Sequence, residues 1–163
     1  MDNTLVGKLT AAGFAPNQEM AARKTLSLRE RGTTYVLKLQ PEMVCCSFQI
    51  DGCISTDPTN RKCDHVVAVS HNNEWGEIFV ELKGGQIAHG IDQILKTLDL
   101  PVFKKTERVF RKARIVAGNR IPTNSGKSIV ERTREKLRNM GCEFRVIKSL
   151  QPDIVKEADF LKK

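Results

Sequence analysis

The chain has 163 residues, a formal net charge of +8 and a pI near 9.4, so it is long enough for one domain with its own hydrophobic core. The positive charge is typical of proteins with polyanionic partners such as nucleic acids. Five cysteines without a CxxC pair argue against a disulfide scaffold and favour a reducing compartment. Because the sequence shows neither a signal peptide nor an apolar run long enough to cross a bilayer, we expect a cytoplasmic protein without a membrane partner.

The first third of the chain is predicted to form two helices and then two strands. The predicted helices are residues 3–12 and 18–31, each followed by a glycine. Alternating apolar residues predict strands over 33–40 and 43–50. Asp51-Gly52 is a turn signal, and a loop rich in polar residues follows it.

A predicted hairpin comes next and carries three notable polar residues. Two short apolar, β-branched runs flank a turn at residues 71–76. Asp64 lies at the start of the first strand, and Glu81 and Lys83 lie near the end of the second. Glu81 and Lys83 are two apart and therefore project from one face of a strand. Since the hairpin brings both strand ends together, two carboxylates and one ammonium are predicted to meet there.

This group of side chains has two interpretations. Paired carboxylates are hard oxygen ligands of the kind that Mg²⁺ and Mn²⁺ prefer, and a nearby lysine can hold or deprotonate a metal-bound water. Alternatively, Asp64, Glu81 and Lys83 form an ordinary surface ion pair, because Glu-x-Lys is common on strands. The spacing alone leaves both interpretations open.

The second half of the chain is predicted to alternate helices and strands. The predicted elements are a helix over 86–98, a strand over 113–117, a helix over 125–139 and a strand over 142–148, and the last residues form a polar tail with a terminal turn. This order of elements indicates a mixed α/β sandwich rather than a doubly wound fold.

Several of these features together resemble a known enzyme superfamily. Asp64, the hairpin, Glu81-Leu82-Lys83, and a helix carrying Gln93 occur in the order typical of PD-(D/E)xK nucleases. That superfamily includes restriction endonucleases and archaeal-type Holliday-junction resolvases. The stretch 50–54 and Lys62-Cys63-Asp64 also resemble small bacterial stand-alone members of the superfamily. In this chain Cys63 precedes the aspartate, where the motif usually has proline. These families commonly tolerate that departure.

The resemblance covers roughly residues 17–120 and implies an α/β fold with a restriction-endonuclease-like mixed sheet (αβββαβ core) flanked by helices. We therefore expect a single nuclease-like domain over residues 1–163. A C-terminal helix–strand extension would occupy about 121–150, and the polar tail 151–163.

The resemblance also implies roles for individual residues. Asp64 and Glu81 would ligate Mg²⁺ or Mn²⁺, with the Leu82 carbonyl as a third ligand. Lys83 would orient or activate the attacking water, and hydrolysis would leave a 5′-phosphate and a 3′-hydroxyl.

Two further positions would complete such a site. A glutamate from the first core helix often joins the metal, and Glu19 is slightly favoured over Glu30. Gln93 matches a helix residue that some subfamilies place beside the metal water or the backbone. For Gln93 the alternative is a solvated glutamine on the helix surface.

Two rival motifs are weaker. Gly126-Lys127-Ser128 follows a strand and opens a helix, as in a phosphate-binding P-loop, but Ile121 stands where that motif needs glycine. Ser125 as a helix cap explains these residues better.

A zinc site is the second rival. Cys53, Cys63 and His65 do not have the spacing of a common structural zinc site, and the neighbours Cys45 and Cys46 would point to opposite faces of a strand. Buried thiols are the favoured interpretation.

The segment from residue 104 to 114 contains six lysines and arginines and one glutamate. Its proximity in sequence to the predicted site helix favours contacts with backbone phosphates by Lys104, Lys105, Arg108 and Arg111. The alternative is a solvated basic surface.

From these observations we expect a metal-dependent nuclease that acts on DNA in preference to RNA, and a homodimer if both strands are cut. The alternative is a module on the same fold that binds nucleic acid or protein without catalysis.

Overall fold

The computed structural model describes residues 2–57, 62–82, 86–118 and 124–161, and for residues 124–127 the backbone alone. The α-helices are α1 Leu5–Ala11, α2 Ile87–Leu98, α3 Pro101–Lys104 and α4 Asn124–Arg138. The strands are β1 Gln18–Ala22, β2 Thr25–Glu30, β3 Thr33–Leu39, β4 Val44–Gln49, β5 His65–His71, β6 Glu74–Leu82, β7 Phe110–Ala117, β8 Glu143–Lys148 and β9 Pro152–Val155. A 3₁₀ helix, Glu157–Leu161, follows β9.

These strands form two sheets. A six-stranded sheet has the order β1-β4-β5-β6-β7-β8, antiparallel from β1 to β6 and parallel from β6 to β8. A three-stranded sheet has the order β2-β3-β9, in which β3 and β9 are parallel. The prediction of a mixed α/β fold is therefore confirmed.

The six-stranded sheet is covered on both faces. Strand β5 contributes to both cores. Val66 and Ala68 belong to the core shared with the helices, and Val67 and Val69 belong to the core shared with the three-stranded sheet. Successive residues of a strand point to opposite faces, so a run of small apolar residues can serve two cores at once.

Strand direction gives the large sheet two distinct ends. At one end lie the start of β5 and the last residues of β6 and β7, and we call it the Asp64 end. At the other, where Gly76 of β6 pairs with Phe110 of β7, lies the Phe110 end. Since α2 leaves β6 at the Asp64 end and the chain re-enters the sheet at Phe110, α2 runs back from the first end to the second.

The predicted helix over residues 18–31 is wrong. That segment forms β1 in the large sheet and β2 in the small one. Only Leu26 and Leu28 are buried in β2, which is the period of a strand. The turn at Arg31 and Gly32, both with positive φ, then lets β2 pair with β3 over six residues.

The polar tail is also different from the prediction. Residues 152–155 form β9, which pairs in parallel with β3, and Val155 and Phe160 are buried in the core between the sheets. Two smaller differences follow. The short helix α3, which begins at Pro101, is not predicted from the sequence, and β7 begins at Phe110 rather than at residue 113.

Within the described ranges, no helix is both long and apolar enough to cross a membrane.

Candidate active site

Asp64 lies beside the last residues of β6. The backbone N–H of Leu82 donates a 2.8 Å hydrogen bond to Asp64 Oδ2. His65 pairs with Val80 in the antiparallel ladder, so one step further along the ladder Asp64 is opposite Glu81. The hairpin thus brings the two strand ends together, as the sequence predicts. Lys83, the third residue of the predicted group, lies outside the described residues.

Glu81 is enclosed between the sheet and α2. Its side chain is 2% exposed. A Cβ atom at Gly90 of α2 would lie 3.4 Å from Glu81 Cγ and 3.1 Å from Ile115 Cδ1. The missing side chain of Gly90 therefore lets the helix pack closely over Glu81, on the face of the sheet that the helices cover.

The buried thiol of Cys63 lies close to the carboxylates of this site. Burial raises the pKa of its thiol well above the ordinary value; hydrogen bonding to Thr97 opposes this, and the charges of Glu81, Asp64 and Asp51 raise the pKa further. The thiol therefore stays neutral and is a poor candidate for a thiolate ligand or nucleophile. The same interactions place three carboxylates within electrostatic range of one buried atom.

Helix α2 holds the chain just before Asp64. The Cys63 N–H donates a 2.8 Å hydrogen bond to Thr97 Oγ1, and that hydroxyl donates to Gln93 O at 2.7 Å. Gln93 Nε2 donates to Lys62 O at 3.3 Å. Gln93 is 7% exposed, so the alternative of a solvated glutamine is wrong. Its side chain contacts the backbone that leads into β5, and a direct catalytic role for Gln93 remains a prediction.

Glu19 and Glu30 are not on a helix, because the helix predicted to carry them is absent. Glu19 lies on the exposed edge strand β1, two strands away from β5. Glu30 Oε2 lies 3.2 Å from His65 Nε2. Burial lowers the pKa of His65, although Glu30 opposes that shift. Since adjacent residues of a strand alternate in direction, Glu30 reaches the sheet on the face opposite to Glu81.

The residues predicted to contact phosphates lie at the end of the sheet away from Asp64. Arg111 pairs in register with Glu77, four residues before Glu81, which corresponds to about 13 Å along the strand. Arg108 lies just before β7, and Lys104 and Lys105 lie at the end of α3, whose Phe103 carbonyl contacts Arg111. The basic segment is therefore at the Phe110 end, because β7 runs parallel to β6.

Arg111 is also buried, contrary to the expectation of a surface residue. Its side chain is 6% exposed, and Nη2 donates hydrogen bonds to Glu77 Oε1 at 2.7 Å and to Phe103 O at 2.5 Å. Arg108 is partly buried, and its Nη1 donates to Thr106 O at 2.9 Å. Lys104 and Lys105 are exposed.

In the described part of the chain, no three His, Cys, Asp or Glu side chains are grouped as metal ligands. Cys45 and Cys46 serve opposite cores, as predicted. Cys63 and Cys142 are buried as well, whereas Cys53 is exposed and differs from the predicted buried thiol.

The P-loop alternative falls largely outside the described residues, which omit 119–123 and the side chains of 124–127. The backbone of α4 begins at Asn124, so Ser125 lies in the first turn of the helix rather than at the capping position.

Sequence reasoning missed Thr97 and Lys62. Thr97 lies four residues after Gln93, so both occupy one face of α2, and a buried threonine within an amphipathic helix is the signal that could have revealed it.

Comparisons of the chain with protein-family models, curated proteins and solved structures found no match.

Proposed function

We propose that the protein is a divalent-metal-dependent nuclease that hydrolyses phosphodiester bonds in DNA in preference to RNA. The observation that carries this proposal is the hydrogen bond from Leu82 N–H to Asp64, which brings the Asp64 carboxylate to the strand end that bears Glu81. Two carboxylates from adjacent strands, one of them under the first half of a helix, are the protein part of a Mg²⁺ or Mn²⁺ site.

The order of elements supports the same proposal. An antiparallel meander of β4, β5 and β6 is followed by α2 and by β7, which is parallel to β6. With α1 ahead of them, these elements follow the αβββαβ succession, and β1, β2 and β3 would be an insertion after the first helix. In this interpretation α1 replaces the predicted helix 18–31, and it carries no acidic residue, so the Leu82 carbonyl is a better third ligand than Glu19.

The donor set suits a hard cation. Mg²⁺ keeps several waters and is commonly held by one or two carboxylates together with substrate phosphate, so Asp64 and Glu81 would be sufficient protein ligands. Bound there, the cation would supply Lewis-acid polarisation of the phosphate and a more acidic water. The chain would contribute the fixed carboxylates, the Leu82 N–H that orients Asp64, and the α2 contacts that hold residues 62 and 63.

Lys83 follows directly after β6 in sequence and is proposed to hold or deprotonate the attacking water. Cleavage of both strands of a duplex would require two such sites, for which a homodimer is the simplest arrangement.

A cleavage screen tests the proposal. End-labelled duplex, single-stranded and branched DNA, and RNA, would be incubated with Mg²⁺ or Mn²⁺, and Mn²⁺ affinity would be measured by calorimetry. We expect Asp64→Asn and Glu81→Gln to abolish cleavage and to weaken Mn²⁺ binding at least tenfold. Asp92→Asn is the matched control, since Asp92 is an exposed carboxylate of α2 paired with Lys96 at 3.0 Å. Equal Mn²⁺ affinity in all four proteins would contradict the site.

Lys83→Ala separates catalysis from binding. The proposal predicts that this variant keeps metal and nucleic-acid affinity but loses turnover, because the lysine acts on the water and the developing charge. If wild type and Lys83→Ala bind nucleic acid equally and neither cleaves any substrate, the protein is a binding module on this fold.

A further inference from the structure

A cleft of about 430 Å³ lies at the Phe110 end of the sheet, away from the candidate active site. It is formed by the C-terminal parts of α2 and α4 and by the stretch from the end of α3 to the start of β7. Five basic residues and one acidic residue line it: Lys96, Lys104, Arg108, Arg111, Lys136 and Asp99. Residues of α2, of the stretch 104–111 and of α4 thus contribute cations to one concave surface.

Part of this positive charge is available to a ligand. The buried Glu77 pairs with Arg111 at 2.7 Å and also lies 3.9 Å from Arg108. Lys104 pairs with Asp99 at 3.2 Å and Lys96 with Asp92 at 3.0 Å, but the side chains in these pairs are 44–78% exposed. Exposed ion pairs contribute little to stability, so another anion can take the place of the carboxylate. A phosphate could therefore replace either carboxylate as the partner of the lysine.

The positive surface continues beyond the cleft. An adjoining cleft of about 500 Å³ shares Arg111 and adds Arg134 and Arg138 from α4, together with the carboxylate of Glu143. Arg134 is paired with Glu131, whereas Arg138 is exposed at the end of α4. Lys8 Nζ of α1 donates a 3.1 Å hydrogen bond to the carbonyl of Lys105, the neighbour of Lys104. Cations spread over adjoining clefts suit a polymer of phosphates better than a single small anion.

Helix dipoles explain only part of this arrangement. Lys96 lies in the last turn of α2, and Lys136 and Arg138 lie in the last turn of α4, where cations offset the partial negative charge of the helix end. Arg108 lies outside any helix, and Lys104 ends a helix of four residues, too short for an appreciable dipole. The cleft therefore gathers more positive charge than the two helix ends require.

We propose that this cleft binds backbone phosphates of duplex DNA at a second contact, remote from the candidate active site. The choice of ligand rests on the proposed nuclease function. Arg111 and Glu81 are separated by about 13 Å along the strand direction, or about four steps of 3.4 Å along one DNA strand. The cleft would thus hold the flank of a substrate rather than the bond being cut.

Two double variants of equal charge test this inference. Lys104→Gln/Lys136→Gln removes two cations from the cleft. Lys24→Gln/Lys38→Gln removes two from another basic cleft, of about 660 Å³, beside the connection between β1 and β2. Each pair lowers the formal net charge of +8 by two, so any effect of overall charge is the same in both. Affinity for a DNA duplex would be measured in EDTA between low and physiological salt.

We expect the cleft variant alone to bind more weakly and to show a shallower dependence of log affinity on log salt. The slope should fall by about 0.9 for each phosphate that the protein no longer neutralises, or about 1.8 for two. Lys104→Arg/Lys136→Arg should retain the wild-type slope, since it keeps both charges. Thermal unfolding of each variant verifies that the fold is intact.

Equal slopes for the two glutamine variants would overturn the inference, as would a wild type that does not bind the duplex at low salt. Loss of unfolding stability in Lys104→Gln/Lys136→Gln with unchanged DNA affinity would also overturn it and would assign these lysines a role in stability instead. The binding assay requires neither metal nor cleavage. A protein that binds DNA through the cleft but cuts no substrate would therefore contradict the nuclease function and leave the cleft proposal standing.

Discussion

The N–H of Cys63 and the hydroxyl of Thr97 are joined by a 2.8 Å hydrogen bond that ties α2 to the residue immediately before Asp64. The hydroxyl acts as acceptor and as donor, because it also donates a hydrogen bond to Gln93 O within the helix. Asp64 in turn accepts the N–H of Leu82. The position of the candidate metal ligand therefore depends on a helix that follows it in sequence by more than twenty residues.

Thr97→Val tests this dependence. Valine has nearly the same shape but cannot accept the Cys63 N–H, and an unsatisfied buried donor costs about 1–3 kcal/mol. We expect a loss of unfolding stability in this range, faster hydrogen exchange at the Leu82 amide and several-fold weaker Mn²⁺ binding.

Thr133→Val is the matched control. Thr133 is also buried, and its hydroxyl makes the same kind of bond within a helix, to Ile129 O at 2.8 Å. Thr97→Ser should keep the wild-type behaviour. Equal Leu82 exchange in Thr97→Val and Thr133→Val would show that Thr97 does not position Asp64.

A buried polar network joins the two sheets and leads to a second prediction. Tyr35 of β3 donates to Asp153 Oδ2 of β9 at 2.6 Å, and Nε of the buried Arg114 of β7 donates to the same oxygen at 2.9 Å. Burial and the charge of Asp153 raise the pKa of Tyr35 well above its ordinary value, so its hydroxyl remains a donor.

Tyr35→Phe should reduce the free energy of unfolding by about 1.5–3 kcal/mol, as expected for a hydrogen bond to a charged group. Urea denaturation measures this loss. Ser47→Ala, which removes a 3.0 Å hydrogen bond between neutral side chains, should cost about 1 kcal/mol. A smaller loss in Tyr35→Phe than in Ser47→Ala would contradict the proposed importance of the network.

Acid stability provides a third prediction. Partial burial raises the pKa of Glu143, but hydrogen bonding to Arg114 and the charges of Arg114, Lys112 and Arg145 outweigh this and lower the pKa below 4.5. A carboxyl whose pKa is lower in the folded state contributes stability above its unfolded pKa and loses it as the pH falls through the folded value.

Glu143→Gln should therefore make the free energy of unfolding less dependent on pH below about 4.5, where wild type loses this contribution. Chemical denaturation at several pH values between about 2.5 and 7 measures the slope. Glu135→Gln, an exposed position on α4, provides the charge-matched comparison. Parallel curves for wild type and Glu143→Gln would contradict the prediction.

The thiols should differ sharply in reactivity, which is a fourth prediction. Burial raises the pKa of Cys46 and of Cys142 to about 12, and it raises those of Cys45 and Cys63 as well. Because the thiolate is the reactive form, an aromatic disulfide reagent at about pH 8 should label one of the five cysteines in the native protein, the exposed Cys53.

Cys53→Ser should abolish that labelling, whereas Cys142→Ser should leave it unchanged. All five thiols should react once the protein is denatured. Rapid native labelling of two or more thiols would show that the buried cysteines are accessible.

The local parts of the candidate site could be predicted from the sequence. Asp64 and Glu81 are connected by a hairpin whose turn and alternating strands are encoded within one short segment, so their proximity follows from local geometry alone. Helices α1, α2 and α4 were predicted to within about two residues, since their apolar stripes repeat along one continuous segment.

Only the tertiary structure decided the remaining features. The segment 18–31 contains good helix formers, yet pairing with β3 and β4 makes it two strands, and β9 gains its partner from more than a hundred residues earlier. The sequence left open the end of the sheet at which the basic segment lies, because the parallel register of β6 and β7 depends on the α2 crossover, and the second half of the segment is part of β7. Periodicity describes which side of an element is buried, whereas the choice and direction of a distant strand partner depend on contacts that no local pattern contains.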